Sequence, residues 1–323
     1  MFNQLRALFN PELYHGRGKK KRFFEGWYFK IVNADESKAF AIIPGIAMDS
    51  IGNKQAFIQV LDGKKGTAEY IKFPSTEFLS DDRQFNVQIS NNHFTKTEIS
   101  LNLPTINGNL SFKELTPWPS TWYSPGIMGP YSFAPFMECY HGILSMDHTI
   151  EGILNIQGEP IDFTGGRGYM EKDWGHSFPD AYFWMQSNHF SSPNISLKCS
   201  VANIPWMGHS FVGFIAGVAM NNRIVEFTTY NGSKLIKSHA DKSKVFIVLE
   251  NKKHRLEITA NRDRSTSLAS PIGGLMDGKI EESMTSKIHV KLFDKKMNAV
   301  MLDDIGRSAG LEVAGQIDKI FTV

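Results

Sequence analysis

An all-β protein built from two antiparallel barrel- or sandwich-like halves is the fold this sequence predicts, on three observations. Short segments of alternating apolar and polar residues recur along the chain. Asn-Gly and Asp-Gly pairs punctuate them, and a faint repeat relates the first half to the second.

The predicted strands cover 39–46, 55–61, 85–89, 98–103, 196–204, 244–249, 255–259 and 287–293. The run Lys287-Ile288-His289-Val290-Lys291-Leu292-Phe293 alternates in the strict period of two that a half-buried strand requires. Asp62-Gly63, Asn107-Gly108, Asn231-Gly232 and Asp277-Gly278 read as hairpin turns, because both residue types tolerate positive φ. A helix is expected only at 303–308 and at the N-terminus. In the repeat, Glu25-Gly26-Trp27-Tyr28-Phe29-Lys30 matches Asp180-Ala181-Tyr182-Phe183-Trp184-Met185. Ile43-Pro44-Gly45-Ile46-Ala47-Met48 matches Ile215-Ala216-Gly217-Val218-Ala219-Met220. Two domains, 1–164 and 165–323, follow from it. Between the halves, 117–135 holds five of the fourteen prolines together with Trp118, Trp122, Tyr123 and Tyr131. Proline at that density excludes a central strand, so this stretch is expected as a lid, a strap or a surface crossover.

Composition narrows the function. Lys plus Arg total 35 against 33 for Asp plus Glu, a net charge of +2 that argues against a nucleic-acid partner. Cys139 and Cys199 have neither zinc spacing nor a CxxC pattern, which points to a reducing, cytoplasmic setting. Gly165-Gly166-Arg167-Gly168 is no phosphate loop, since no Lys-Ser/Thr follows. Asp147, His148 and His141 fit no common ligand spacing, so no metal is expected. Phe2, Leu5, Leu8 and Phe9 fall on one helical face, and Lys19-Lys20-Lys21-Arg22 follows. That segment suits either docking on the protein or peripheral membrane contact.

Two blocks carry a family resemblance. Phe23-Phe24-Glu25-Gly26-Trp27-Tyr28-Phe29-Lys30 resembles the N-terminal signature of tocopherol cyclases. The central signature is resembled by Gly165-Gly166-Arg167-Gly168-Tyr169-Met170-Glu171-Lys172-Asp173-Trp174-Gly175-His176-Ser177-Phe178-Pro179. Residues 135–142, 145–148, 181–190 and 309–313 also look like the family, so the likeness spans nearly the whole chain. The resemblance implies two lipocalin-like (calycin-like) antiparallel β-barrels packed together, as in the related carotenoid hydratases. It also implies a cofactor-independent cyclase, an intramolecular lyase that closes a chromanol ring on a prenylated hydroquinone.

That chemistry sets what the residues must do. An acid protonates a trisubstituted alkene, a base or acceptor takes the phenol proton, and water is kept away from the cation. Asp173 is the expected acid, a carboxyl beside Trp174 that would share a strand face with Glu171. Its structural alternative is an ion pair with Lys172 or Arg167. Glu25 is the second acid or partner base, unless it caps the barrel floor. His176 is the candidate to orient the quinol or accept its proton. Trp27, Tyr169, Glu171, Trp174, Tyr182 and Trp184 are the expected substrate-binding residues, with aromatic faces able to stabilise positive charge. The competing reading is a binding protein that sequesters a hydrophobic isoprenoid or lipid without turnover, its carboxylates locked in ion pairs.

Overall fold

The computed structural model describes residues 2–322, with side chains from residue 6 onward. Phe2 and Leu5 of the expected apolar helix face therefore lie outside the described side chains. The chain divides into two units: Met1–Phe178 with Leu268–Lys279, and Pro179–Ser267 with Ile280–Val323. Each is built on one antiparallel sheet, of twelve strands in the first and ten in the second. This is the all-β architecture that the alternation predicts, in the lipocalin-like form that the resemblance implies.

We label Phe23–Val32 β1, Ala39–Met48 β2, Cys139–Ile156 β3, Gly166–Gly175 β4, Ala181–Ser187 β5, Ser196–Trp206 β6, Ala299–Gly315 β7 and the helix Phe2–Phe9 α1. The first sheet runs through Lys54–Asp62, β2, β1, β4, β3 and Ile106–Lys113 at its centre. The second runs through His209–Met220, β6, β5, β7, Leu275–Asp294 and His254–Asn261. Through these six strands the two orders match, with β1 equivalent to β5, as the aromatic repeat implied. The second half of that repeat is displaced by one strand. Ile43–Met48 lies on β2, whereas Ile215–Met220 lies on His209–Met220, the equivalent of Lys54–Asp62. Neighbouring strands of one barrel share the same apolar alternation, so a short match does not fix which strand is meant.

Three further expectations change. The domain boundary moves from 164/165 to 178/179, because β4 pairs with both β1 and β3 and so belongs to the first sheet. Residues 303–308 are strand, inside β7, where pairing to Leu275–Asp294 overrides local preference. Asn107-Gly108 and Asp277-Gly278 lie within strands. Among the described residues, the two-residue turns with both φ values positive are instead Gln157-Gly158, Met207-Gly208, Asn221-Asn222 and Gly273-Gly274.

The barrel core of the first unit gathers Trp27, Phe29, Ile31, Phe94, Phe112, Leu144 and Met170. Trp27 is fully buried, stacked 5.7 Å from Phe85, and its Nε1 donates to the Glu12 carbonyl at 3.0 Å. On the same face as Trp27 lie Glu25 and Lys172, both fully buried and ion-paired. The Lys172 Nζ also donates to the Leu13 carbonyl and to His15 Nδ1 at 2.8 Å, and it sits 4.7 Å over the Trp27 ring. The His15 backbone N–H donates to both Glu25 oxygens at 2.9 Å. Burial works against the Glu25 charge, but Lys172 and His15 outweigh it and hold the carboxyl below its ordinary value. Burial pushes Lys172 down to about 8 against the pull of Glu25, which leaves an ammonium at neutral pH. Burial and the neighbouring Lys172 lower His15, so its ring is neutral and can accept from Lys172 while Nε2 donates to the Ala7 carbonyl at 3.0 Å. These bonds pin the segment that follows α1 onto the sheet. Gly142 permits the approach, since a Cβ there would come within 2.7 Å of Pro11.

Two predictions follow from this core. Lys172→Met strands a buried carboxylate and should cost about 3–5 kcal/mol of stability in urea unfolding. Adding Glu25→Gln should recover part of it, and a neutral single variant would contradict the pairing. His148 is buried with neither ring nitrogen hydrogen-bonded, and burial drives it down to about 3. The unfolded chain therefore binds the extra proton below about pH 6.5, so stability is lost as pH falls from there towards 3. The slope from this group is at most about 1.4 kcal/mol per pH unit. Between pH 7 and 5, His148→Leu should flatten the dependence of the unfolding midpoint on pH. An unchanged slope would refute the assignment.

Candidate functional site

β4 alternates, so the residues between Met170, Lys172 and Trp174 point to the opposite face of the sheet. Tyr169, Glu171 and Asp173 stand there in a row, as the sequence spacing implied for the two carboxyls. The register of β3 against β4 places His141 opposite Asp173. Its Nδ1 is hydrogen-bonded to Asp173 Oδ1 at 2.7 Å, and its Nε2 lies 3.5 Å from Glu171 Oε2 without a hydrogen bond, so one imidazole sits between both acids. Tyr169 donates its hydroxyl to Glu171 Oε2. The Cys139 thiol donates to Asp173 Oδ1 at 3.8 Å.

The two ends of this chain are fixed donors. Burial, reinforced by Glu171, drives the Tyr169 phenol far above its ordinary range. Burial and then Asp173 do the same for the Cys139 thiol. Between these two donors stand Glu171, His141 and Asp173. Asp173 keeps 23% side-chain exposure against 5% for Glu171, so it is the member open to exchange. Neither ion-pair alternative holds for Asp173: Lys172 is bound to Glu25, and Arg167 to Asp147.

No metal was expected from spacing, yet His141, Glu171 and Asp173 each offer a ligand atom within 4.8 Å of the others. The two ring nitrogens face different carboxylates, with a hydrogen bond at Nδ1 only. A metal would need one nitrogen and both carboxylates to converge on one point.

A cavity of about 540 Å³ adjoins the relay at His141 and is also lined by Tyr140, Trp174 and His176. One wall comes from α1 and the segment after it. Another comes from the proline-rich stretch, with Pro125, Ser132 and Pro135, and from Phe136 and Met137 just after it. That stretch is thus a strap along the cavity, short-helical at Gly129–Phe133. Trp174 is sandwiched between His15 at 4.0 Å and Tyr140 at 5.6 Å, both nearly parallel to it. Its two faces are occupied, which leaves an edge for a ligand. The backbone of His176 is held from both sides, donating to Glu138 and accepting from Gly274. Within the first unit the tip of the inserted segment is further fixed by Gln59, which exchanges two hydrogen bonds with the Ala269 backbone.

The other named residues are elsewhere. Trp27 and Glu25 belong to the barrel interior and do not line the cavity. Tyr182 and Trp184 lie on β5 in the second unit, on the face opposite Phe183, which is in the core as expected. There the Tyr182 hydroxyl donates to Glu312 Oε2 at 2.7 Å, and the buried Lys198 Nζ sits 5.5 Å over the Trp184 ring. Sequence reasoning passed over His15, Cys139, Tyr140 and His141 as site residues. His141 is thirty-two positions from Asp173, and only cross-strand register brings them together. Helix α1 docks through the buried Ala7, while Phe9 stays partly exposed against Phe133. Among the described residues no helix is long and apolar enough to cross a membrane.

Comparison with known proteins gives a consistent picture. A probable chloroplastic tocopherol cyclase of Oryza sativa subsp. japonica is 22% identical over 96% of this chain and 79% of its own length. A chloroplastic tocopherol cyclase of Zea mays is 25% identical over 56% of this chain and 40% of its own. Among solved structures, CghA in complex with Sch210972 superposes with a TM-score of 0.55 at 12% identity, covering 91% of this chain and 88% of that one. A putative AttH from Nitrosomonas europaea gives 0.54 at 13% identity, covering 91% and 93%. These two share the fold. The family described as tocopherol cyclase-like matches residues 105–315, more than half of the chain, and this protein belongs to that family.

Proposed function

We propose that this protein is a cyclase acting on a prenylated phenol, with Asp173 as the acid and His141 and Glu171 as its proton relay. The observation that carries the reading is the single imidazole set between two carboxyls, 2.7 Å from one and 3.5 Å from the other. Family membership and the identities to plant tocopherol cyclases support it.

The step balances without an outside reagent. The proton held by Asp173 reaches the less substituted alkene carbon through His141, the relay member that lines the cavity, and positive charge develops on the tertiary carbon. The phenol oxygen attacks that carbon with a lone pair and forms the C–O bond. Its proton passes to the relay and returns to Asp173 through His141, so the product is an isomer of the substrate. His176, on the cavity wall, orients the phenol. The stacked Trp174 and Tyr140 shape the cavity and help exclude water, which would otherwise capture the cation. Glu25 has a positioning role here, because its pairing with Lys172 holds Trp174 and the His15 segment in place. Trp27 supports that pair. Tyr169 stands behind the relay, donating to Glu171.

In deuterated water, a prenylated hydroquinone should yield a chromanol with one new C–D bond. Asp173→Asn should lower the rate about 100-fold or more, the scale of general-acid catalysis, without shifting the unfolding midpoint. Glu171→Gln should act in the same direction. Tight binding with no product would favour the binding-protein reading that the locked Glu25 pair also fits, and full activity of Asp173→Asn would remove Asp173 as the acid.

A further inference from the structure

We infer that the ligand of the cavity is an amphipathic anion, an aromatic or prenyl body carrying a carboxylate or phosphate. Identifying that ligand as the substrate rests on the cyclase reading; the anion preference itself does not. The chain as a whole is nearly balanced, with 35 basic and 33 acidic residues. The cavity is not. Arg17, Lys19, Arg22, His15, His141 and His176 line it, and no aspartate or glutamate does.

The three cations differ. Arg17 is committed to Asp82 and to the Ser80 carbonyl. Among the described residues neither Lys19 nor Arg22 is paired with a carboxylate, and Lys19 Nζ lies 6.0 Å from the centre of the Phe23 ring. Arg22 adopts φ +50°, the left-handed region in which glycine or asparagine is the comfortable residue. Its backbone N–H is held there by the Asp49 carbonyl at 2.8 Å. Behind these cations the wall is apolar, with Phe23, Phe136, Met137, Tyr140 and Trp174. A hydrocarbon body fits that wall, and an anionic group fits the rim, where partial enclosure strengthens its attraction to fixed cations. The cavity volume suits a ligand of drug-like size.

Calorimetric titration tests this with a farnesylated 4-hydroxybenzoate, farnesyl phosphate and the neutral farnesylated hydroquinone. At least one anion should bind ten times more tightly than the neutral compound, and the tighter of the two identifies the group. Added salt should erode the preference. In Lys19→Gln/Arg22→Gln the preference should shrink to within twofold, with an unchanged unfolding midpoint. Equal affinities, a preference that survives the double substitution, or no binding of any probe would overturn the inference. A clear anion preference with no chromanol formed from any probe would sink the cyclase reading alone.

Discussion

The Lys172 ammonium is wholly out of water, so the barrel must supply its partners, and those partners decide how the first unit is put together. Glu25 neutralises it from β1, while Leu13 and His15 satisfy its remaining protons from the segment after α1. The cost of desolvating the pair is recovered only while that segment stays in place. Stacking of His15 on Trp174 depends on the same anchor, and so does one wall of the cavity. A buried ion pair is here a device for position more than a source of net stability.

Strand alternation then divides β4 between two tasks. Met170, Lys172 and Trp174 serve the barrel and the anchor; Tyr169, Glu171 and Asp173 form the relay. A shift of one residue in the pairing of β4 would exchange the two sets, burying the relay in the apolar core and exposing the anchor. The register is therefore enforced by charge as well as by packing. His141 adds a second lock, because it meets Asp173 only when β3 and β4 are correctly aligned.

Much of this was legible in the sequence. Period-two alternation gave the strands, and the aromatic repeat at Trp27 and Tyr182 gave two equivalent sheets. The shared face of Glu171 and Asp173 followed from their spacing alone. What escaped depends on long-range pairing. Nothing local marks His141 as the partner of Asp173, or Lys172 as that of Glu25, since both contacts cross between strands far apart in sequence. The domain boundary failed for a related reason. β4 looks like the start of a second half, yet it completes the first sheet by pairing with β1. Asn107-Gly108 shows the limit of turn signals, because pairing with the neighbouring strand can draw such a dipeptide into the ladder.

The central claim is that Trp174, His141 and the relay behind them form the reacting end of the cavity. A crystal structure with a bound chromanol tests it most directly. The account predicts the chromanol ring against the edge of Trp174, its ring oxygen close to His141, and its chain directed along the strap at 125–137. A chromanol seated away from His141, or in contact with Glu25 after displacement of Lys172, would contradict it.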